Sequence, residues 1–573
     1  MSIIQFKEAN CKNCYKCIRS CPVKAIAFIN DQARIVEEDC MLCGNCLTVC
    51  PQNAKIVKSE LDTVKGFIKK REKVYVSLAP SFISAFEKVD EIWIYAALKK
   101  LGFTYIEETA VGAAQVSKQY DRLIEEKKMK NIITTACPSI ALLVQKYYPE
   151  MVEQLAPVVS PMIAHGKMLR EMYGARIRVV FIGPCLSKKD ECKDIQNSGV
   201  IDAAITFEEL EAWFKEEDID SNTDLSEEIK GVKELRARIY PVPGGIIKTL
   251  ESRNCKNYQC ISIDGVERCM KVLDSIKNDG LENYFIEMNS CSGGCIGGPC
   301  MNHIKGGFLE SRRRLIAYLK RGFKEQKLLS TVDLKVDLKK SFINMQRGGT
   351  VPSESVIQDI LNSIGKFTKD KELNCGACGY SSCRDKAAAV YNNRAQLHMC
   401  LPYMRERAES MSNLIINTTP NAIFALNEKL CIQEANYSAQ KAFGLKKSGL
   451  EGKSIFEVLE CGDFQVVVDS KENIYDEKYY YEKYDMTVKQ SIIYVPDQNI
   501  VVVVIKDITD EEKQAQQMHR MREENAEIAQ KVIEKQMRVA QEIASLLGET
   551  TAETKVALTK LKKSIMSEMG DVK

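Results

Sequence analysis

Two stretches near the start of the chain repeat one cysteine pattern: Cys11-x2-Cys14-x2-Cys17-x3-Cys21-Pro22 and Cys40-x2-Cys43-x2-Cys46-x3-Cys50-Pro51. The N-terminus, MSIIQFKEANCKNC, has no apolar signal core, so a cytoplasmic location is expected. In that compartment, cysteines clustered this tightly argue for metal ligation rather than disulfides. The whole chain has 23 Cys against only four His. Soft thiolate sites are therefore the expectation, either iron–sulfur or zinc.

The spacing is that of bacterial two-cluster ferredoxins, in which the fourth Cys of each run ligates the other cluster. It predicts that Cys11, Cys14, Cys17 and Cys50 hold one 4Fe–4S cubane, and that Cys40, Cys43, Cys46 and Cys21 hold a second. One short loop can wrap three corners of a cube while the fourth thiolate arrives from a distance. Zinc normally takes its four ligands as two separated pairs, which a doubled four-Cys run does not suit. One-electron relay is the chemistry implied.

The length of 573 residues implies several domains. The formal net charge of +3 gives no basic excess of the kind that marks a nucleic-acid binder. No apolar run approaches the roughly 18 residues needed to cross a bilayer. Neither nucleic acid nor membrane is thus an expected partner. The fold class expected is multidomain α/β and α+β. Its boundaries are a ferredoxin-like domain over 1–60, an α/β domain over 61–325, a linker over 326–365, a further cysteine module over 366–408, an α+β domain over 409–509 and a helical tail over 510–573. In the α/β domain the runs VYVSLA, NIITTA, IRVVFIG and VIDAAIT read as buried strands separated by amphipathic helices, the pattern of a parallel sheet.

Three loops of that domain carry isolated cysteines: Thr134-Thr135-Ala136-Cys137-Pro138, Gly183-Pro184-Cys185-Leu186-Ser187-Lys188-Lys189, and the Gly-rich run around Cys291 and Cys295. Each comes after an apolar run, as strand ends pointing at one crevice would. Four thiolates there could hold a further cubane.

Taken together, the ferredoxin pattern and these three loops resemble the FeFe-hydrogenase family over roughly residues 1–320. The resemblance implies that Cys137, Cys185, Cys291 and Cys295 hold the cubane of an H-cluster. Cys295 would bridge it to a two-iron unit carrying CO, cyanide and an azadithiolate. Lys188 would bind a cyanide. Ala79-Pro80-Ser81 and Ser160-Pro161 match stretches that line the same pocket. A cubane-only relative working in cluster assembly is the alternative.

Departures from the family bear on activity. Catalytic members carry a proton-passing Cys where this chain has Ala136, and a Ser where it has Ala156. The region Val116–Tyr120, aligned with two acidic relay residues, has no carboxylate. Gly183 and Asn289 stand where methionines pack the two-iron unit. Cys300 falls near the site without an assigned role. The resemblance is thus to the sensory subgroup, with slow turnover expected.

Further on, Cys375-x2-Cys378-x4-Cys383-x16-Cys400 gives another four-thiolate pattern. It resembles the small 4Fe–4S module of corrinoid iron–sulfur proteins, with zinc as the alternative. Its place in the sequence suggests a cubane between the α/β domain and the α+β domain. Residues 411–509 resemble a PAS domain, with a turn at Asn436 and a last strand at Val501–Asp507. In the tail, Met518, Met521, Ile528 and Val532, then Ile533, Ala540, Ile543 and Leu547, fit a short coiled coil with one register slip. A helix packed back on the PAS domain fits equally well.

Three 4Fe–4S clusters plus an H-cluster are the cofactors expected. Cys192, Cys255, Cys260, Cys269, Cys300, Cys431 and Cys461 stay unassigned. The leading reading is a sensor of hydrogen, or of the redox poise it sets, which splits hydrogen slowly and passes electrons through cubanes to the PAS domain and tail. A downstream phosphatase or kinase would receive the output, from a homodimer. A slow hydrogenase exchanging electrons with a ferredoxin, and a cubane-only assembly protein, are the other readings.

Overall fold

The structure is a computed structural model that describes residues 3–7, 10–86, 91–220, 236–251, 258–301, 307–322, 336–348, 350–445, 450–547, 556–557 and 559–560. Cys255 falls outside them. The chain divides into two compact units, Met1–Met404 and Arg405–Lys573. No helix among the described residues is long and apolar enough to cross a membrane.

The doubled cysteine runs fold as a doubled structure. Cys17 lies in the one-turn helix Lys16–Arg19 and Cys46 in its counterpart, Asn45–Thr48. The amide of Ala25 donates to Cys21 Sγ at 3.3 Å, and that of Ala54 to Cys50 Sγ at 3.4 Å. Strand Ile4–Phe6 pairs with Lys55–Val57, and Ile26–Ile29 forms a hairpin with Gln32–Ile35.

The apolar runs of the central domain do become strands, but in two sheets. Val74–Leu78, Arg178–Ile182 and Ala203–Ile205 join Tyr105–Glu108 in a four-stranded parallel sheet. Val74–Leu78 is buried along its whole length, as a strand covered on both faces must be. The NIITTA run forms only Ile132–Ile133, which pairs with Tyr284–Asn289 beside Gln259–Asp264 in a second parallel sheet. Helix Leu61–Lys69 leads into strand Val74–Leu78 of the four-stranded sheet.

The segment expected to be a linker is anchored structure where described. Leu338 is buried, and its carbonyl accepts from the Val159 amide at 2.9 Å. Lys340 pairs with Asp194 at 2.7 Å, and the Met345 amide donates to the Gln145 carbonyl. Helix Glu354–Asn362 contributes Leu361 to an apolar cluster shared with Ile364, Ala387 and Cys400. The segment's anchoring side chains, Leu338, Lys340 and Leu361, are too widely spaced to show a helix or strand period, so the sequence reads as a linker.

The 375–400 module docks on the ferredoxin-like domain. Gly379 has φ of 96°, and a Cβ there would stand 2.7 Å from Cγ2 of Ile18. Lys24 Nζ donates to the Gly379 carbonyl at 2.8 Å, and Arg19 Nη1 to that of Ala377 at 2.9 Å.

The second unit holds a five-stranded antiparallel sheet, in the order Ile432–Ala435, Ala422–Asn427, Ile500–Asp507, Met486–Val495, Ile474–Tyr481. Buried Asn436 caps helix Tyr437–Ala442 through the Ala439 amide and also accepts from the Ile423 amide. The described part of the tail up to residue 547 is a continuous helix, Thr509–Leu547, through the position of the suggested register slip. Met518, Met521, Ile528 and Val532 are exposed along it.

Candidate metal centre

The three cysteine-bearing loops leave the carboxyl ends of strands from both sheets. Cys137 comes after Ile132–Ile133, Cys185 after Arg178–Ile182, and Cys291 after Tyr284–Asn289. Their thiols, with that of Cys295, line one cavity of about 110 Å³. Ala79, Pro80, Ser81, Ala136 and Lys188 also form its wall, so the fold brings together these residues that the sequence pattern points to. Ser160 is the exception. It is buried one layer behind, N-capping helix Pro161–Tyr173, with its Oγ donating to Glu191 Oε2 at 2.8 Å.

Glu191, which no sequence motif singles out, organises that layer. Lys188 Nζ donates to Glu191 Oε2 at 2.8 Å and to the Ala136 carbonyl at 3.3 Å. The ammonium is thus held at the cavity wall by a buried carboxylate, the arrangement that makes a buried charge tolerable. A local signal exists: Lys188 and Glu191 are three apart on the short helix Leu186–Glu191.

The electrostatics around the thiols call for a cationic group. Burial pushes Cys295 up to about 12, and Cys185 and Cys137 add repulsion. Burial likewise raises Cys185 and Cys291. Four thiolates could share this pocket only with a positively charged group among them. Ser81 Oγ is buried in the cavity wall with no hydrogen-bond partner among the described residues. An orphaned hydroxyl of that kind fits a bound group that presents an acceptor.

Two positions expected to lack a packing methionine are filled differently. A Cβ at Gly183 would stand 2.5 Å from the Phe181 ring, so Phe181 occupies the space a longer side chain would need. Asn289 lines the cavity, and its Nδ2 donates to Glu287 Oε1 at 3.3 Å. Burial pushes Glu287 up to about 7, against the amides of Ile247 and Gly244 that favour its anion. Ala156 is buried outside the wall, and Cys300 packs in an apolar cluster with Leu186 and Cys17.

Two more cysteine groups surround cavities of their own. Cys21, Cys40, Cys43 and Cys46 line one, and burial raises Cys40 to about 11 and Cys43 to about 12. Cys375, Cys378, Cys383 and Cys400 line the other. Of the remaining predicted set, burial raises Cys17, against Lys55 and with a smaller push from Cys11, and Cys50 is lowered, despite burial, by the amides of Ala54 and Gln52. Cys14 is exposed. Among the described residues, no three Cys, His, Asp or Glu side chains converge on a single-ion position. Cys43 also lines the central cavity, so a ligand position of the ferredoxin-like domain adjoins it directly.

Comparison with known proteins matches four family models along the chain. Residues 72–299 match the family model of the iron only hydrogenase large subunit, C-terminal domain. Residues 3–51 match a 4Fe-4S dicluster domain, 372–402 an FeS cluster domain and 411–506 the PAS fold. Iron hydrogenase 1 of Clostridium pasteurianum is 26% identical over 53% of this chain and 65% of its own length. The NADP-reducing hydrogenase subunit HndD of Solidesulfovibrio fructosivorans is 25% identical over 47% of this chain and 56% of its own. The cytosolic Fe-S cluster assembly factor NAR1 of Scheffersomyces stipitis is 24% identical over 31% and 38%. The chain thus spans less than two thirds of the length of each of these relatives. Among solved structures, the FeFe-hydrogenase HydA1 from Chlamydomonas reinhardtii is similar at 16% identity with a TM-score of 0.37, over 51% of this chain and all of that one.

Proposed function

The chain belongs to the FeFe-hydrogenase-like iron–sulfur proteins and carries a PAS domain, and on that premise we propose that it is a sensor of hydrogen or of the redox poise hydrogen sets. The observation that carries this reading is one cavity lined by Cys137, Cys185, Cys291 and Cys295, with Lys188 and the orphaned Ser81 hydroxyl in its wall. Those four thiolates would hold the cubane of an H-cluster, with Cys295 bridging to its two-iron unit. When bound, that group supplies reversible splitting of hydrogen into protons and electrons.

The chain's own residues set what happens around it. Lys188, fixed by Glu191, offers a charged donor to an anionic ligand, and Ser81 offers a neutral one. Ala79, Pro80 and Phe181 keep the cavity apolar and exclude water. Ala136 has a methyl group where proton transfer would need a titratable side chain, so turnover is slow while binding is retained. Cys43, in the walls of both the ferredoxin-like and the central cavity, supports electron exchange between them. From there the 375–400 module, docked on the ferredoxin-like domain, extends the relay. The PAS domain and helical tail would pass the state on, as a homodimer, to a downstream phosphatase or kinase.

The likeness to the NAR1 assembly factor supports a second reading, in which only cubanes bind. The orphaned Ser81 and the clamped Lys188 favour the first, because a cubane held by four thiolates makes no demand on either. Infrared spectroscopy of protein made anaerobically with hydrogenase maturation factors separates the two. Sharp CO and cyanide bands that shift under hydrogen are expected. Their absence, with the cubanes present, would leave the assembly reading.

A further inference from the structure

Where the usual thiol is missing, the structure holds a different hydrogen-bonded chain that runs from the cavity wall towards the surface. Thr109 lines the cavity. Its Oγ1 lies 2.8 Å from Ser77 Oγ, Ser77 Oγ lies 2.8 Å from His165 Nδ1, and His165 Nε2 lies 3.1 Å from Glu107 Oε2. Ser77 and His165 are fully buried, while the Glu107 side chain is 13% exposed. We propose that Thr109, Ser77, His165 and Glu107 are the proton path between this cavity and solvent.

Local structure supports the assignment. Thr109 is the N-cap residue of helix Ala110–Glu126, yet its side chain makes no capping bond. A Thr at this position ordinarily caps the helix, and here the hydroxyl turns to Ser77 instead. His165 is pinned by close helix packing: a Cβ at Gly112 would stand 2.6 Å from the His165 amide nitrogen and 2.4 Å from the Pro161 carbonyl. The imidazole can accept on one nitrogen and donate from the other, as a relay requires.

The other hydroxyl chain at this wall runs from Tyr240 to Ser117 at 2.7 Å and to Thr249 at 2.6 Å, then ends on the Ile246 carbonyl. A carbonyl cannot take a proton onward. The His165 chain ends on a carboxylate, which can. For each passage, one proton enters at Thr109 and one leaves from Glu107 to water. No electrons move, and the chain resets when the hydroxyls rotate and the imidazole regains its starting tautomer.

This path rests on the proposed hydrogen chemistry, so its test reads the site and the path separately. In matured protein, Thr109→Val keeps the shape and removes the hydroxyl, while Thr109→Ser keeps the hydroxyl. Thr109→Val should lower deuterium exchange between D2 gas and water about 10²-fold, the usual scale for positioned proton transfer. Thr109→Ser should stay near wild type, with CO and cyanide bands unchanged in both. Intact bands with unaltered exchange in Thr109→Val would overturn the path. Absent bands in the wild type would overturn the hydrogen reading itself. A second readout needs no two-iron unit. In protein expressed without maturation factors and carrying 15N-histidine, the ring proton of buried His165 should exchange with D2O within minutes, and Glu107→Gln should slow it. Equal exchange in both proteins would also overturn the path.

Discussion

A Cβ added at Gly44 would stand 2.4 Å from Cγ of Pro299, closer than such atoms can approach. Gly44 N-caps the helix that carries Cys46, and Pro299 lines the central cavity. The docking of the ferredoxin-like domain on the central one therefore passes through a position with no room for a side chain.

Gly44→Ala should loosen that docking. Its φ of 79° alone costs an L-residue about 1–2 kcal/mol, and the collision with Pro299 adds to it. The expected result is slower electron exchange between an external ferredoxin or dye and the central site, with the infrared bands unchanged. Electron transfer at the wild-type rate would show that the contact does not govern the relay.

Ser81→Ala tests what the orphaned hydroxyl is for. Removing it leaves no unpaired partner among the described residues, because it has none. The unmatured protein should thus be at least as stable as wild type by thermal denaturation, because a buried hydroxyl without a partner costs rather than contributes stability. The matured protein should show a shifted cyanide band, a hydrogen bond to the bound group having been lost. An unshifted spectrum would mean that Ser81 faces nothing the cofactor presents.

The cysteine groups are legible in the sequence because cluster chemistry constrains both residue type and spacing, and the fold gathers Cys137, Cys185, Cys291 and Cys295 as those constraints suggest. Depth and docking are not legible there. Ser160 and Ser81 look alike in a motif, yet Ser81 faces the cavity and Ser160 bonds Glu191 behind it. Phe181 filling the space beside Gly183 depends on tertiary packing, which no local pattern records. The 375–400 module docks partly through the carbonyls of Ala377 and Gly379, groups that every sequence possesses. The Thr109–His165 chain joins residues from separate strands and helices, so only the folded sheet brings it together.

The boundary between the two compact units, at Met404 and Arg405, predicts that the first unit is separable. Helix Leu401–Thr418 crosses that boundary, so a truncation should keep it whole. Protein ending at residue 418 should retain its cubanes, its infrared signature and its hydrogen binding, and should lose the cellular response. Loss of hydrogen binding on this truncation would place part of the active site in the second unit.

Glu287 gives a pH dependence of definite sign. Its carboxyl is raised from 4.5 to about 7 by burial, so the folded state binds its proton more tightly than the unfolded state does. Its contribution is most favourable below pH 4.5, falls as pH rises towards 7 and is flat above. Relative to Glu287→Gln, which cannot ionise, the wild type should lose about 3 kcal/mol across that window. Chemical denaturation of both proteins at pH 5 and pH 8 reads most of that difference. A gap that does not change with pH would show that Glu287 titrates as an exposed carboxylate does.

Ala136→Cys bears most directly on protons, because it adds a second exit at a wall that already has one proposed. The residue lines the cavity, and its carbonyl accepts from Lys188, so a side-chain change leaves that contact in place. A thiol there can exchange protons where a methyl cannot, and positioned transfer is worth about 10²–10⁴-fold in rate. The rest of the family's relay is still missing at Ala156 and in the Val116–Tyr120 region, so the gain should be measurable but fall short of that range. Binding of hydrogen and CO should change little, since no ligand thiol is altered. If the Thr109 path carries the wild-type traffic, Thr109→Val should also cost less in the Ala136→Cys background than alone. Equal losses in both backgrounds would mean that the new thiol finds no route to water, and that traffic still leaves through Thr109.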